Sequence, residues 1–122
     1  MTLGPPGSPG RGSGGGPAID RSVLGEWLAG DDDAIDELLG VFRDSVCAEQ
    51  QIMRDTLANG DLTEFANACH RLRGAALSMG ARALGAISGT LYAAAKAQNA
   101  GACASGMAEL ERHVDQVVAE VP

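Results

Sequence analysis

The 122-residue chain is short of aromatic side chains: one Trp, one Tyr and two Phe, 3% of the whole. Ala, Leu and Val carry its apolar content, with long polar side chains between them, a composition that favours helix over sheet. Proline is nearly confined to one end. All but one of the five prolines fall in 4-GPPGSPGRGSGGGP-17, and beyond that stretch only Pro122 could break a helix from within. Basic charge is scarce as well: nine Lys and Arg stand against 16 Asp and Glu, a formal net charge of −7. Arg11 is the only charged residue of the Gly/Pro/Ser-rich stretch, so the remainder holds eight basic and 16 acidic groups, or −8. Such a domain repels a phosphate backbone, which argues against a nucleic-acid partner. No apolar run nears the roughly 20 residues that a bilayer-spanning helix needs, and no charged-then-apolar secretory leader opens the chain. The expectation is a cytoplasmic protein that does not engage a membrane.

Cysteine pairing is missing too. Cys47, Cys69 and Cys103 are odd in number and far apart, with no CxxC. The expectation is three reduced, buried thiols, not a disulfide framework, a metal site or a catalytic thiol. There is no P-loop and no kinase-type Gly-rich loop. Paired carboxylates, a nucleophile–base pair and a metal-ligand set are also lacking, which weighs against an enzyme in the ordinary sense.

What is present is helical periodicity. Residues 1–18 read as a flexible tail or linker, since Gly, Pro and Ser cannot bury apolar surface; residues 19–122 read as one small helical domain. A short helix is expected over about 19–29, with Asp20 as N-cap, an apolar stripe of Val23, Leu24 and Trp27, and Gly30 at its end. Asp31, Asp32 and Asp33 follow. They suit a cap and a negatively charged first turn; a divalent-metal loop would need further spaced oxygens. A second helix is expected over about 33–58 on Ile35, Leu38, Leu39, Phe42, Val46, Met53 and Leu57, stopped by Asn59-Gly60-Asp61. The third should span about 62–79 on Leu62, Phe65, Cys69, Leu72, Ala76 and Met79, closed by Gly80. The fourth starts near Ala81 or Arg82 and carries Leu84, Ile87, Leu91, Ala94 and Gln98. After the turn Asn99-Ala100-Gly101, the last carries Cys103, Met107, Leu110, Val114, Val117 and Val121. Four long amphipathic helices with short loops predict an all-α, antiparallel, up-and-down four-helix bundle, one end capped by the short N-terminal helix. One apolar seam per helix is satisfied within a single chain, which predicts a monomer.

The segment 69-CHRLRGAALSMGA-81 departs from this pattern. Gly74 sits inside a helix, where Gly costs about 1 kcal/mol relative to Ala. His70 lies one position past the seam residue Cys69, about 100° around the helix, and so on the flank. Its flank neighbours are Ala66 at i−4, Arg73 at i+3, Gly74 at i+4 and Leu77 at i+7. Small residues clear space around the imidazole, and Arg73 sets a permanent cation beside it. An imidazole titrating near 6.5 can act as a nucleophile toward phosphorus at cellular pH. The cation would stabilise the phosphoryl product, and Gly74 would let another protein's backbone approach. A plain surface His beside a small-residue helix contact is the alternative that these residues leave open.

The segment resembles the histidine-containing phosphotransfer (HPt) domain family, whose motif reads approximately His-x-Leu-Lys-Gly, then small residues, then an apolar–Gly pair. The matching positions are His70, Leu72, Arg73, Gly74, Ala75, Ala76, Met79 and Gly80. The preceding 59-NGDLTEFANAC-69 resembles the family's Gly-Asp turn and the approach to its active His, and the likeness covers roughly residues 19–121. The resemblance implies a helical bundle whose exposed His accepts a phosphoryl group from a receiver-domain aspartate and passes it to another receiver. His70 would be the phosphoacceptor, Arg73 would stand where the family has Lys, and Gly74 would match its Gly. Arg keeps the charge but not the geometry of Lys. Mirrored about Ala81, Tyr92 would face His70, either orienting it through its hydroxyl, as a polar residue often does in the family, or packing on it.

The implied partners are response-regulator receiver domains, with a hybrid sensor histidine kinase as a further candidate. No cofactor is expected on this chain; Mg²⁺ would come with the receiver. Ala66, Leu77 and Ala81 are expected as exposed contacts for that partner. His113, with Glu109 at i−4 and no clearing, is expected to be a solvated surface residue. Two rivals stand beside the relay: a non-catalytic module that binds a receiver or kinase, and a structural bundle. The second would bury His70 or pack Gly74 against another helix of the chain.

Overall fold

The computed structural model describes residues 17–122, and the described residues are all-helical: α1 (Arg21–Trp27), α2 (Asp32–Ala58), α3 (Leu62–Ser78), α4 (Arg82–Lys96) and α5 (Ala100–Glu120), with no strand among them. The Gly/Pro/Ser-rich stretch, apart from Pro17, lies outside the described residues. Ala18, which composition places in the tail, is tied to the domain: its N–H and that of Ile19 donate to the Glu120 carboxylate, and Ile19 is buried.

The helix starts follow capping chemistry. Asp20, Asp31, Asp61 and Asn99 each accept a backbone N–H from the first turn of the helix that follows, which satisfies a donor left without an intrahelical partner. Asp32 and Asp33 fall in the first turn of α2, where negative charge opposes the positive end of the helix dipole. α4 has no side-chain cap: its N-cap is Ala81.

α3 packs against α2 and α4, α4 also against α5, and α5 closes back onto α2. The core runs along the expected seams. It is built from Ile35, Leu39, Phe42, Val46 and Met53 of α2, Phe65, Cys69, Leu72 and Ala76 of α3, Leu84, Ile87 and Leu91 of α4, and Cys103, Met107, Leu110, Val114 and Val117 of α5. Fully burying one such Leu or Val contributes about 1.5–3 kcal/mol.

Four sequence expectations are corrected. Trp27 does not join the α1 stripe; it is 65% exposed, because the seven residues of α1 make fewer than two turns and Leu24 fills the contact. Gln98 does not extend the α4 seam: the helix ends at Lys96, Gln98 turns out at φ 59° and is exposed, and Ala95 takes the buried position. Cys47 is exposed, one step around α2 from the buried Val46; only Cys69 and Cys103 are buried thiols. His113 is not freely solvated: its side chain is only 13% exposed, with Nε2 at 3.7 Å from Glu109 Oε2.

The turn between α3 and α4 depends on Gly80. It has φ +75°, its carbonyl accepts the Asp20 N–H at 3.0 Å, and a Cβ placed there would lie 2.8 Å from the Asp20 carbonyl oxygen. Asp20 also accepts from Arg82 Nη2 at 3.2 Å, so one residue ties α1 to this turn. Its hydrogen bond from the Ser22 hydroxyl, before any effect of Arg82, holds the carboxyl below its ordinary range. Gly80→Ala combines a left-handed backbone with a clash against main chain and should cost about 2–4 kcal/mol. Urea denaturation would register this, and an unchanged midpoint would refute it.

Burial pushes the Cys69 thiol up to about 12, with Cys103 adding to the effect, and burial raises Cys103 as well. A raised pKa means that the fold favours the protonated thiol. The stabilisation is complete below pH 9.0 and is lost as pH climbs toward about 12. Stability should therefore fall more steeply with alkaline pH in the wild type than in Cys69→Ala, whatever the offset between the two curves.

Candidate functional site

The structure places His70 on the exposed flank of α3, one residue past the fully buried Cys69. The buried seam fixes this orientation, since Cys69 and Leu72 must face the core and position 70 cannot. Arg71, the next residue, is drawn the other way: its Nε and Nη2 donate to the two Glu49 oxygens of α2 at 2.9 and 3.0 Å. That hydrogen-bonded pair raises the Arg71 pKa and leaves the α4 side of His70 clear.

On the α4 side, Tyr92 meets the imidazole with ring centroids 5.5 Å apart and planes tilted by 43°. The separation is that of a contacting aromatic pair, with a tilt between the offset-stacked and edge-to-face arrangements. No hydrogen bond joins the Tyr92 hydroxyl to His70 among the described residues, so the contact between them is ring against ring. Arg73 is exposed, and among the described residues it makes no ion pair, whereas Arg21, Arg43, Arg54, Arg71 and Arg82 each pair with a carboxylate. Gly74 is exposed, and a Cβ added there would meet nothing within 4 Å. No packing contact inside the domain requires the missing side chain. The structural-bundle reading needed a buried His70 or a tightly packed Gly74, and neither is found.

His70, Arg73 and Tyr92 share an open groove of about 660 Å³ between α3 and α4, completed by Gly85, Ala86, Gly89, Thr90 and Ala93. The α4 contributors were not anticipated from the sequence. A signal was available: Gly85, Gly89 and Ala93 recur every four residues beside Tyr92, which puts them on one face of the helix. Leu77 is 46% exposed and leans over Gly85, where a Cβ would lie 2.6 Å from its Cδ2. Ala66 and Ala81 are corrected. They are 3% and 0% exposed, the one covered where α3 meets its neighbours and the other enclosed in the α3–α4 turn, so neither offers surface to a partner. Among the described residues no group of three or more His, Cys, Asp or Glu side chains is placed to hold a metal. No helix among them is long and apolar enough to cross a membrane.

The fold and this flank together define a class: an all-helical domain with an exposed imidazole, an exposed cation and an open surface beside them on one flank. The family model of the Hpt domain matches residues 37–120, which takes in α3, α4 and every residue of the groove. The chain belongs to the Hpt domain family. That family performs histidine phosphotransfer in two-component phosphorelays, and its members interact with receiver domains. Comparison with curated proteins and with solved structures gives no match.

Proposed function

We propose that this domain is a phosphorelay intermediate: His70 takes a phosphoryl group from a receiver-domain aspartate and hands it to a second receiver. The observation that carries the reading is the joint geometry of α3. His70 is exposed, Arg73 is unpaired among the described residues and shares its groove, and Gly74 is open for want of a side chain that nothing inside the domain excludes. In the forward step an imidazole nitrogen attacks phosphorus and the bond from phosphorus to the aspartyl oxygen breaks. The carboxylate leaves with its electron pair; the reverse step returns the group to another aspartate. Charge spread over the three phosphoryl oxygens needs neutralising. Arg73 supplies one cation from this chain, and a Mg²⁺ held by the receiver would supply the rest. Tyr92 orients the imidazole through their tilted ring contact. Leu77 offers apolar contact at the end of the groove to the incoming receiver.

Short turns between successive helices, and contacts that follow chain order before closing from α5 to α2, support an antiparallel up-and-down arrangement of α2–α5 with α1 at one end. In this reading the domain works as a cytoplasmic monomer whose partners are response-regulator receivers, a hybrid sensor kinase among the possible carriers of one. Incubation with a phosphorylated receiver and Mg²⁺ tests it, by intact mass under conditions that preserve acid-labile phosphate. One phosphoryl group per chain is the expected result. Docking without label would replace the relay with a non-catalytic binding module.

A further inference from the structure

The groove contains a contact that the phosphotransfer chemistry does not by itself require. A Cβ built on Gly89 of α4 would lie 3.2 Å from Arg73 Nε and 3.3 Å from its Cδ. The Arg73 side chain, which starts on α3, therefore lies across α4 at Gly89, one of the two positions where α4 carries no side chain; the other, Gly85, is covered by Leu77. Around that point, Gly85, Ala86, Thr90 and Ala93 keep the groove low, and none of them offers a carboxylate that would draw the guanidinium away. α4 as a whole, Arg82–Lys96, contains no Asp or Glu in a chain that has 16.

We infer that Gly89 is a positioning residue for Arg73: its bare backbone is the seat on which the arginine stem rests, and the seat keeps the guanidinium in the groove beside His70. The inference rests on the relay reading and extends it to a residue on a different helix. It also accounts for the arginine at position 73. A guanidinium is planar and reaches through Nε, so its aim is set by where that atom lies. A side chain at 89 would lift Nε by a few tenths of an ångström and redirect the group. Helix propensity alone would favour Ala at this interior position.

Gly89→Ala tests this through two readouts that a general structural role would not move together. In a ¹⁵N-labelled sample the Arg73 Nε–Hε signal should shift and gain mobility while the backbone amides away from the groove stay in place. The melting temperature should hold or rise. Transfer from a phosphorylated receiver should slow about threefold to tenfold, since sub-ångström displacement of a group acting on the transition state is felt at that level. In an Arg73→Ala background, itself slower, adding Gly89→Ala should change nothing further. Equal slowing by Gly89→Ala in both backgrounds would show that the methyl obstructs docking, and an unmoved Arg73 signal would show that there is no seat; either overturns the inference. A wild-type chain that takes no label at all is a different result and overturns the relay itself.

Discussion

His70→Gln is expected to abolish phosphoryl transfer to the domain while leaving its fold intact. Intact mass should go from one phosphoryl group per chain to none, with a thermal melt close to that of the wild type. Gln offers no imidazole nitrogen, and no other described side chain is placed to take over. His113 is the only other histidine. Its side chain is 13% exposed and paired at 3.7 Å with Glu109, whose negative charge opposes an incoming phosphoryl group. The fold should survive because His70 is exposed and its main intramolecular contact is one tilted ring pair with Tyr92, worth about 0.5–1.5 kcal/mol. Label that persisted on the variant would remove His70 as the acceptor.

Gly74→Leu should show two effects of opposite sign. The position is inside α3, and a Cβ there meets nothing within 4 Å. Replacing Gly by Leu should therefore stabilise the helix, by about 0.8 kcal/mol. The same side chain would stand one turn from His70, on the face that a receiver would cover in the proposed relay. In-line attack requires the phosphorus within about 3–3.5 Å of the imidazole, and misplacement by an ångström costs about 10²-fold. Denaturation should thus report a more stable domain and transfer kinetics a much slower one, with Gly74→Ala nearly as stabilised and far less impaired. Undiminished transfer in Gly74→Leu would mean that the partner approaches from elsewhere and that the open glycine is incidental. The pairing of signs is informative, because a residue kept for packing would lose stability and function together.

These expectations bear on how the molecule is encoded. The helices were legible from residue spacing because an amphipathic helix must repeat its apolar positions at three and four, and because Asp20, Asp31, Asp61 and Asn99 are the side chains that satisfy free N–H groups at a helix start. The placement of His70 on a flank followed from the same arithmetic. Once Cys69 and Leu72 face inward, position 70 cannot, and the structure exposes it. The conspicuous glycine at 74 was legible too, since an interior helix glycine without a packing partner asks for an external reason.

Tertiary structure decided the rest. Exposure depends on what lies opposite, which no single-helix pattern contains. Ala66 and His70 are one turn apart on the same helix, yet the first is covered and the second open. Ala81 is enclosed in a turn, and Trp27 stands out in solvent at the end of a helix too short to bury it. The site itself spans two helices. The sequence by itself determined that α3 would present an imidazole at position 70 on its flank, because that placement is local and periodic. Only the packing of α4 against α3 decided that Tyr92 would lie on the imidazole and Gly89 under Arg73, because contacts between residues 16 to 22 positions apart depend on the crossing and rotation of two helices, which neither helix specifies alone.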